Sequence, residues 1–528
     1  MSKVISAEKA AGLIQDGVTL GSCLMGLAGW PEEIAKAIEK RFFETGHPKN
    51  LTVISSSGAG DSKERGVTRL GYEGLTKRWI AGHMGQAPKM KQLVQDNKIE
   101  AYNFPQGVIV QLWREIAAKR PGLITTVGLG TFIDPRIEGG KMNPKTVEDL
   151  IKILEIDGKE YMFYKSFPVN VAIIRGSVGD ENGNLTMDRE GLLIEALPLA
   201  QATKNSGGIV IAQVETVAKT GTLHPKKVKV PGILVDYIVP ITDKENHYQT
   251  EGLYFNSSFS GDVKIPLSSI PPIPLSERKI IARRAAMELV PDAIVNLGIG
   301  VSSDVAAVAA EENTSHLMHL TTESGTIGGI PASPPNFGHA YNPEAVVEHH
   351  AQFDFYDGGG IDIAFLGLAQ ADKDGNINVT KFSNRVVGSG GFINISQNCK
   401  KVVYCGTFTA GGLEVAVQDN QLRILNEGRV QKFVETVDQI TYSGKYAQKV
   451  NQPAVYVTER AVFELQEGGI VLTEIAPGID IEKDVLSQMK FKPKISDTLK
   501  LMDPNIFKET WGGLEEIIIN KSNKPLPL

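Results

Sequence analysis

Cysteine is nearly missing from this chain: three residues, Cys23, Cys399 and Cys405, in a length of 528. So few thiols exclude a disulfide framework, and none stands with histidine at metal-ligand spacing, which points to a reducing, cytoplasmic setting without a structural metal. Long apolar runs are missing too. None approaches the ~20 residues that span a bilayer, and residues 1–17 are charged and amphipathic, without the apolar core of a secretion signal. A dominant charge sign is also lacking. With 55 basic and 61 acidic side chains interspersed, the net charge of −6 leaves no reason to expect nucleic acid or an anionic membrane as the main partner.

Glycine and proline, by contrast, are plentiful, with 54 and 27 residues, and 42% of the chain is hydrophobic. That composition fits at least two globular domains with ample cores. The segment Lys264 to Leu275 carries prolines at 266, 271, 272 and 274, which forbid helix and favour an extended linker. Ser276 then offers an N-cap for a following helix. The expected organisation is a first α/β domain over 1–263, a linker over 264–275 and a second α/β domain over 276–528.

The two halves resemble each other. The run from Asn170 through Gly183-Asn184 to Thr186 shares its form with the run from Ile361 through Gly375-Asn376 to Asn378: a buried strand, a polar stretch, then a Gly-Asn turn. The next apolar segments, starting at Gly208 and Lys401, follow at an offset that agrees to within one residue, so chance is a poor explanation. Each half also opens with an amphipathic helical pattern, Ala7 to Ile14 and Ala282 to Leu289, leading to a short strand and a Gly-rich turn. Helix, strand, turn and helix is the grammar of a parallel sheet covered by helices.

Against this background Glu323 is the first candidate for chemistry. It ends the apolar run Leu317 to Thr322 and opens a loop of small residues, Ser324-Gly325-Thr326-Ile327-Gly328-Gly329, expected to be flexible and to leave amide N–H groups free. Carboxylates can act as covalent nucleophiles. An acid opening a Gly turn is also an ordinary surface feature. In the repeat, the first-half counterpart of Glu323 is Ser56 or Ser57, so the acid stands in one copy only.

Several ordered segments resemble the class I coenzyme A transferases, closest to the acetate/propionate branch: Thr322-Glu323-Ser324-Gly325, the stretch Gln352 to Gly360, Gly388-Ser389-Gly390-Gly391, and Thr458-Glu459-Arg460. So do Asn103 to Gly107, Leu223 to Lys226, Ser443-Gly444-Lys445 and Glu474 to Asp480. The likeness covers essentially the whole chain. Two strings depart from the family: the usual serine-glutamate-asparagine-glycine is Thr322-Glu323-Ser324-Gly325, and an expected Gly-Gly-Phe is Cys23-Leu24-Met25.

The resemblance implies the fold, two similar tandem α/β domains with mainly parallel sheets flanked by helices (NagB/RpiA/CoA transferase-like). It implies reversible CoA transfer between a short-chain acyl-CoA, such as acetyl-CoA, and a short-chain carboxylate, by a ping-pong route through Glu323. Coenzyme A is then a substrate, no cofactor is required, and a homo-oligomer, possibly a tetramer, is expected. For the tetrahedral oxyanion the loop Gly388 to Gly391 can aim backbone N–H groups, and Gly390 and Gly391 are assigned to that role. Gln106 is assigned to the reacting carboxylate. Gly358, Gly359, Gly360 and Gly388 are assigned to close passage of the CoA arm, and Lys445, in a Ser-Gly-Lys turn, to its phosphates.

Other readings of the same residues stay open. Gly358 to Gly360 can equally be a tight entry into a strand, and Lys226, Lys227 and Lys229, which could meet the phosphates at the nucleotide end of CoA, are more simply a solvated face. The strand-turn-helix from Val295 to Ser303 has two of the three glycines of a dinucleotide fingerprint, which keeps an NAD-dependent oxidoreductase as an alternative. An acyl-CoA thioesterase using Glu323 with water, or a non-catalytic CoA-binding protein, are further classes. The adjacent His349 and His350 do not make a metal site, since neighbouring side chains diverge on either helix or strand.

Overall fold

Short apolar segments ending in glycine or serine form strands, and in the computed structural model, which describes residues 2–266 and 273–521, they assemble into two compact units. The first unit comprises residues 1–265, 323–354 and 382–394, the second 266–322, 355–381 and 395–528, within the described residues.

In the first unit seven parallel strands lie in the order Tyr237–Pro240, Ile209–Ala218, Val171–Asp180, Thr19–Ser22, Leu51–Ser55, Thr76–Ala81 and Glu100–Asn103. Strand Val171–Asp180, inside the sheet, is buried on both faces, as its apolar run Val171 to Ile174 requires. Helix Gln106–Ala117 is buried on all sides from Gln106 to Trp113 and meets solvent only toward its C-terminal end.

In the second unit five parallel strands run in the order Met318–Thr321, Ala293–Leu297, Ile363–Gly367, Lys401–Cys405 and Ala454–Val457. The antiparallel pair Ala461–Gln466 and Gly469–Ile475 then extends the sheet. Ser276 caps helix Glu277–Ala286 by accepting from the Lys279 N–H, as expected.

The repeat survives down to single hydrogen bonds. Taken from the second strand of each copy, the order Leu51, Thr19, Val171, Ile209, Tyr237 matches Met318, Ala293, Ile363, Lys401, Ala454. The Gly-Asn turns are wired alike. Asp180 Oδ1 accepts from the N–H of Asn182 and Asn184, and Asp372 Oδ1 from those of Asp374 and Asn376. Asn184 Oδ1 then accepts from the Gly232 N–H and Asn376 Oδ1 from that of Gly444, at 2.8 and 3.0 Å.

The two units are not simply the two halves of the sequence. The break between the units falls at Ile265 and Pro266, inside the expected linker, of which 267–272 lie outside the described residues. Residues 323–354 and 382–394 cluster with the first unit although they belong to the second half of the sequence. The reason is where their polar groups find partners. The segment after Glu323 forms only two-residue strands, which cannot sustain a ladder of their own, and its side chains bond to the first unit, as Asn336 does with Thr250 at 2.6 Å.

All three cysteines are free and buried. Burial holds each thiol protonated, with Cys399 pushed up to about 12 and Cys23 and Cys405 raised as well.

Candidate active site

Glu323 stands two residues beyond strand Met318–Thr321, and the loop after it is pinned. Ser324 Oγ donates to the Gly338 carbonyl, and the Val347 N–H donates to the Gly325 carbonyl at 2.8 Å. Gly325 has φ +109°, and a Cβ there would strike the Val347 carbonyl. Ser324, Gly325 and Thr326 are buried. The small residues therefore serve close packing, and the expected flexibility is replaced by a fixed turn that holds the carboxylate in place.

The Gly388 to Gly391 loop belongs to the same unit and is equally fixed. Asn103 organises it, donating through Nδ2 to the Ala81 and Gly82 carbonyls and accepting the Ser389 N–H at 2.8 Å through Oδ1. The Gly390 N–H donates to the Gly82 carbonyl at 2.8 Å, and the Gly390 carbonyl accepts the Gln106 N–H at 2.9 Å. Gly390, at φ +54°, thus makes the turn with its own N–H already engaged. The Gly391 N–H has no acceptor among the described residues. A Cβ on Gly391 would overlap Glu323 Oε2 and come within 3.1 Å of Phe353 Cζ, so the absence of a side chain there makes room for the carboxylate.

Gln106 reaches the same point from the first residue of helix Gln106–Ala117. Its side chain is fully buried. Ser57 Oγ donates to its Oε1 at 2.9 Å, and its Nε2 lies 2.8 Å from His349 Nε2. His349 Nδ1 in turn lies 2.7 Å from Glu195 Oε2, both residues being wholly removed from solvent. Burial raises the Glu323 carboxyl to about 7, with a hydrogen bond from Gln106 drawing it part of the way back. The residue keeps partial solvent exposure. An acid poised near neutrality, in reach of a side-chain amide and beside an uncommitted backbone N–H, is an arrangement suited to acyl chemistry.

The remaining expected site residues, Gly358 to Gly360 and Lys445 in the second unit and Gly388 in the first, are explained locally. Gly359, at φ +89°, and Gly360 donate their N–H groups to Tyr356 and Phe355, closing helix His349–Asp357, and a Cβ on Gly360 would overlap the Phe355 ring. Gly358 is exposed beside them. Lys445 does not sit in a turn; it is exposed in the first turn of helix Gly444–Lys449, which Ser443 caps. The Ser-Gly-Lys string is accounted for by Gly444, whose N–H anchors the repeat's Asn376. Gly388 lies against the backbone of His83 and Met84, where a Cβ would come within 3.1 Å.

His349 and Glu195 were not foreseen. His349 drew notice only as half of an adjacent pair weighed for metal binding, and among the described residues no group of three or more His, Cys, Asp or Glu stands where it could hold a metal ion. Nothing in the sequence singles out Glu195, 154 residues away from its partner.

A family model described as Coenzyme A transferase matches residues 4–240. Over 523 residues the chain is 56% identical to caffeate CoA-transferase of Acetobacterium woodii, an alignment covering 98% of this chain and 100% of that protein. Over 513 residues it is 44% identical to acetate CoA-transferase YdiF of Escherichia coli, covering 97% and 96%. The chain belongs to the coenzyme A transferase family. The same relationship holds in three dimensions: a crystal structure of the E. coli acyl-CoA transferase YdiF, a thioester complex with CoA, superposes with a TM-score of 0.91 at 43% identity, covering 97% of each chain. This coenzyme A transferase accordingly acts on acyl-CoA and carboxylates. No helix among its described residues is long and apolar enough to cross a membrane.

Proposed function

We propose that this coenzyme A transferase exchanges CoA between a short-chain acyl-CoA and a short-chain carboxylate through covalent intermediates on Glu323. The Glu323 carboxylate attacks the thioester carbonyl; the C–S bond breaks, giving an acyl-glutamyl anhydride and CoA thiolate. The thiolate attacks the glutamyl carbonyl and expels the acyl group as a free carboxylate, leaving a glutamyl-CoA thioester. An acceptor carboxylate attacks that thioester and regenerates thiolate and a new anhydride. The thiolate then attacks the anhydride's acyl carbonyl, releasing the new acyl-CoA and the Glu323 carboxylate.

The observation that carries this reading is the placement of Glu323 against Gly391 and Gln106, with its carboxyl raised to about 7. Each addition passes through an oxyanion. The Gly391 N–H and the Gln106 side-chain amide are the donors assigned to it, and Gly390 sets the turn that aims the former. The fixed, largely buried surroundings disfavour water, which would otherwise hydrolyse the anhydride. Gly388 stays a candidate for passage of the CoA arm. Gly358 to Gly360 and Lys445, explained by helix ends, are weaker candidates for CoA contacts.

The acetate specificity named for the E. coli relative supports short acids, and the caffeate specificity named for the Acetobacterium relative supports a second reading, an arylacrylic acid as acceptor. Incubation with acetyl-CoA alone, hydroxylamine treatment and peptide mass spectrometry should modify the peptide bearing Glu323 and no other. Release of CoA without an acceptor acid would instead indicate a thioesterase. A panel of acetate, propionate, butyrate and a hydroxycinnamate, each supplied as acceptor, separates the two substrate readings by kcat/KM.

A further inference from the structure

Behind Gln106 lies a chain of buried polar groups that the exchange reaction does not itself consume. Going inward from Glu323, it passes through the Gln106 amide, His349 and Glu195, with separations of 2.8 and 2.7 Å at the last two links. Each link restricts the next. With Glu195 as a carboxylate and the ring neutral, Glu195 Oε2 accepts and His349 Nδ1 carries the hydrogen. His349 Nε2 is then the lone-pair nitrogen, and it can accept a hydrogen only from the Gln106 NH2 group. The opposite end of that amide, Oε1, accepts from Ser57 Oγ. A side-chain amide is otherwise nearly symmetric in shape and free to turn over, and here both of its ends are assigned.

The backbone shows a second, independent sign of constraint. Ile194, buried and β-branched, has φ +53°, a conformation that such residues rarely adopt. Its carbonyl accepts the His349 N–H at 3.1 Å, and it immediately precedes Glu195. The strained residue thus brings the carboxylate and the imidazole together from two segments that are distant in sequence.

We infer that Glu195 and His349 are positioning residues that lock the orientation of the Gln106 amide, so that an N–H and not a C=O faces Glu323 and the oxyanion formed on its substrate. With the amide reversed, its carbonyl dipole would oppose the developing negative charge, and the loss would fall on the chemical step and not on acyl-CoA binding. The inference rests on the proposed role of Glu323 and Gln106.

Two measurements test it. In the wild-type enzyme, 15N labelling of histidine should show, for the ring assigned by its loss in H349N, a protonated Nδ1 and an unprotonated Nε2; a proton on Nε2 overturns the proposal without need of any folded variant at Glu195. Glu195→Gln can donate to Nδ1 and so invert the chain. Its kcat for exchange should fall about 100-fold with KM for acyl-CoA changed less than about twofold. Glu195→Asp, which keeps the acceptor, should recover at least about tenfold of that loss. A Glu195→Gln enzyme with wild-type kcat, or equal losses in the Gln and Asp variants, overturns the positioning role. Trapping at Glu323 in the wild type separates this outcome from failure of the functional reading: no glutamyl adduct removes the proposed reaction, whereas a normal adduct with an indifferent Glu195 removes only the relay.

Discussion

Two matching turns, Ser55-Ser56-Ser57 and Thr321-Thr322-Glu323, follow matching strands in the two repeats, yet only one carries an acid. The difference shows how a duplicated fold divides its labour. Glu323 presents a carboxylate raised by burial, whereas Ser57 presents a neutral hydroxyl that donates to Gln106 Oε1, the amide beside that same carboxylate. A second acid at Ser57 would crowd like charges around one amide and push one carboxyl still higher. On the proposed reaction, one copy keeps the nucleophile and the other copy orients its neighbour.

The largest test of that asymmetry removes the acid. Glu323→Ala should lower CoA exchange by at least about 10⁴-fold, read by acetyl-CoA formation, while circular dichroism shows the fold retained. An alanine variant that exchanges CoA would leave Glu323 with no role.

A second test uses pH. In the unfolded chain this carboxyl titrates near 4.5, in the folded protein at about 7. Between those values the folded state holds a proton that the unfolded chain has released, so stability falls as pH rises through the window. The loss is on the order of 3 kcal/mol once both forms are ionised. Glu323→Gln has no such titration, so urea denaturation should show it more stable than the wild type above pH 7, with the gap closing toward pH 4.5. Over the same range the wild-type rate of glutamyl adduct formation should climb, because the ionised form is the nucleophile.

Smaller effects come from the neighbours. Gly391→Ala places a methyl group where Glu323 Oε2 lies; the displaced carboxylate should lower kcat about 100-fold, with the fold retained by circular dichroism. Ser57→Ala removes one hydrogen bond to a buried amide, about 1 kcal/mol, and should lower kcat about fivefold to tenfold. If Ser57→Ala matched Glu323→Ala in severity, the division of labour between the repeats would be wrong.

Much of this was legible in the residues. The Gly-Asn turns revealed the duplication because their Asp-Asn hydrogen bonding demands those residue types at fixed offsets. The strand-then-glycine pattern drew attention to Glu323, because a strand fixes the backbone on one side and small neighbours leave room around a carboxylate, although the loop after it was expected to be flexible. What stayed hidden depended on long-range placement. The partnership of Glu195 with His349 has no local spacing, and the commitment of the Gly390 N–H to Gly82 becomes visible only when Asn103 is seen organising both loops. Residues 323–354 joined the first unit for a similar reason, since short strands take their partners from wherever the chain places them.

The burial of Cys23, Cys399 and Cys405 has a consequence for an enzyme that handles activated acyl groups. Accessible thiolates capture acyl groups from thioesters without any catalyst, and would scavenge substrate as well as form mixed disulfides with free CoA. With its native sulfhydryls walled off in protonated form, this chain resists self-acylation, and a single cysteine engineered onto its surface would be a clean attachment point for a spectroscopic reporter.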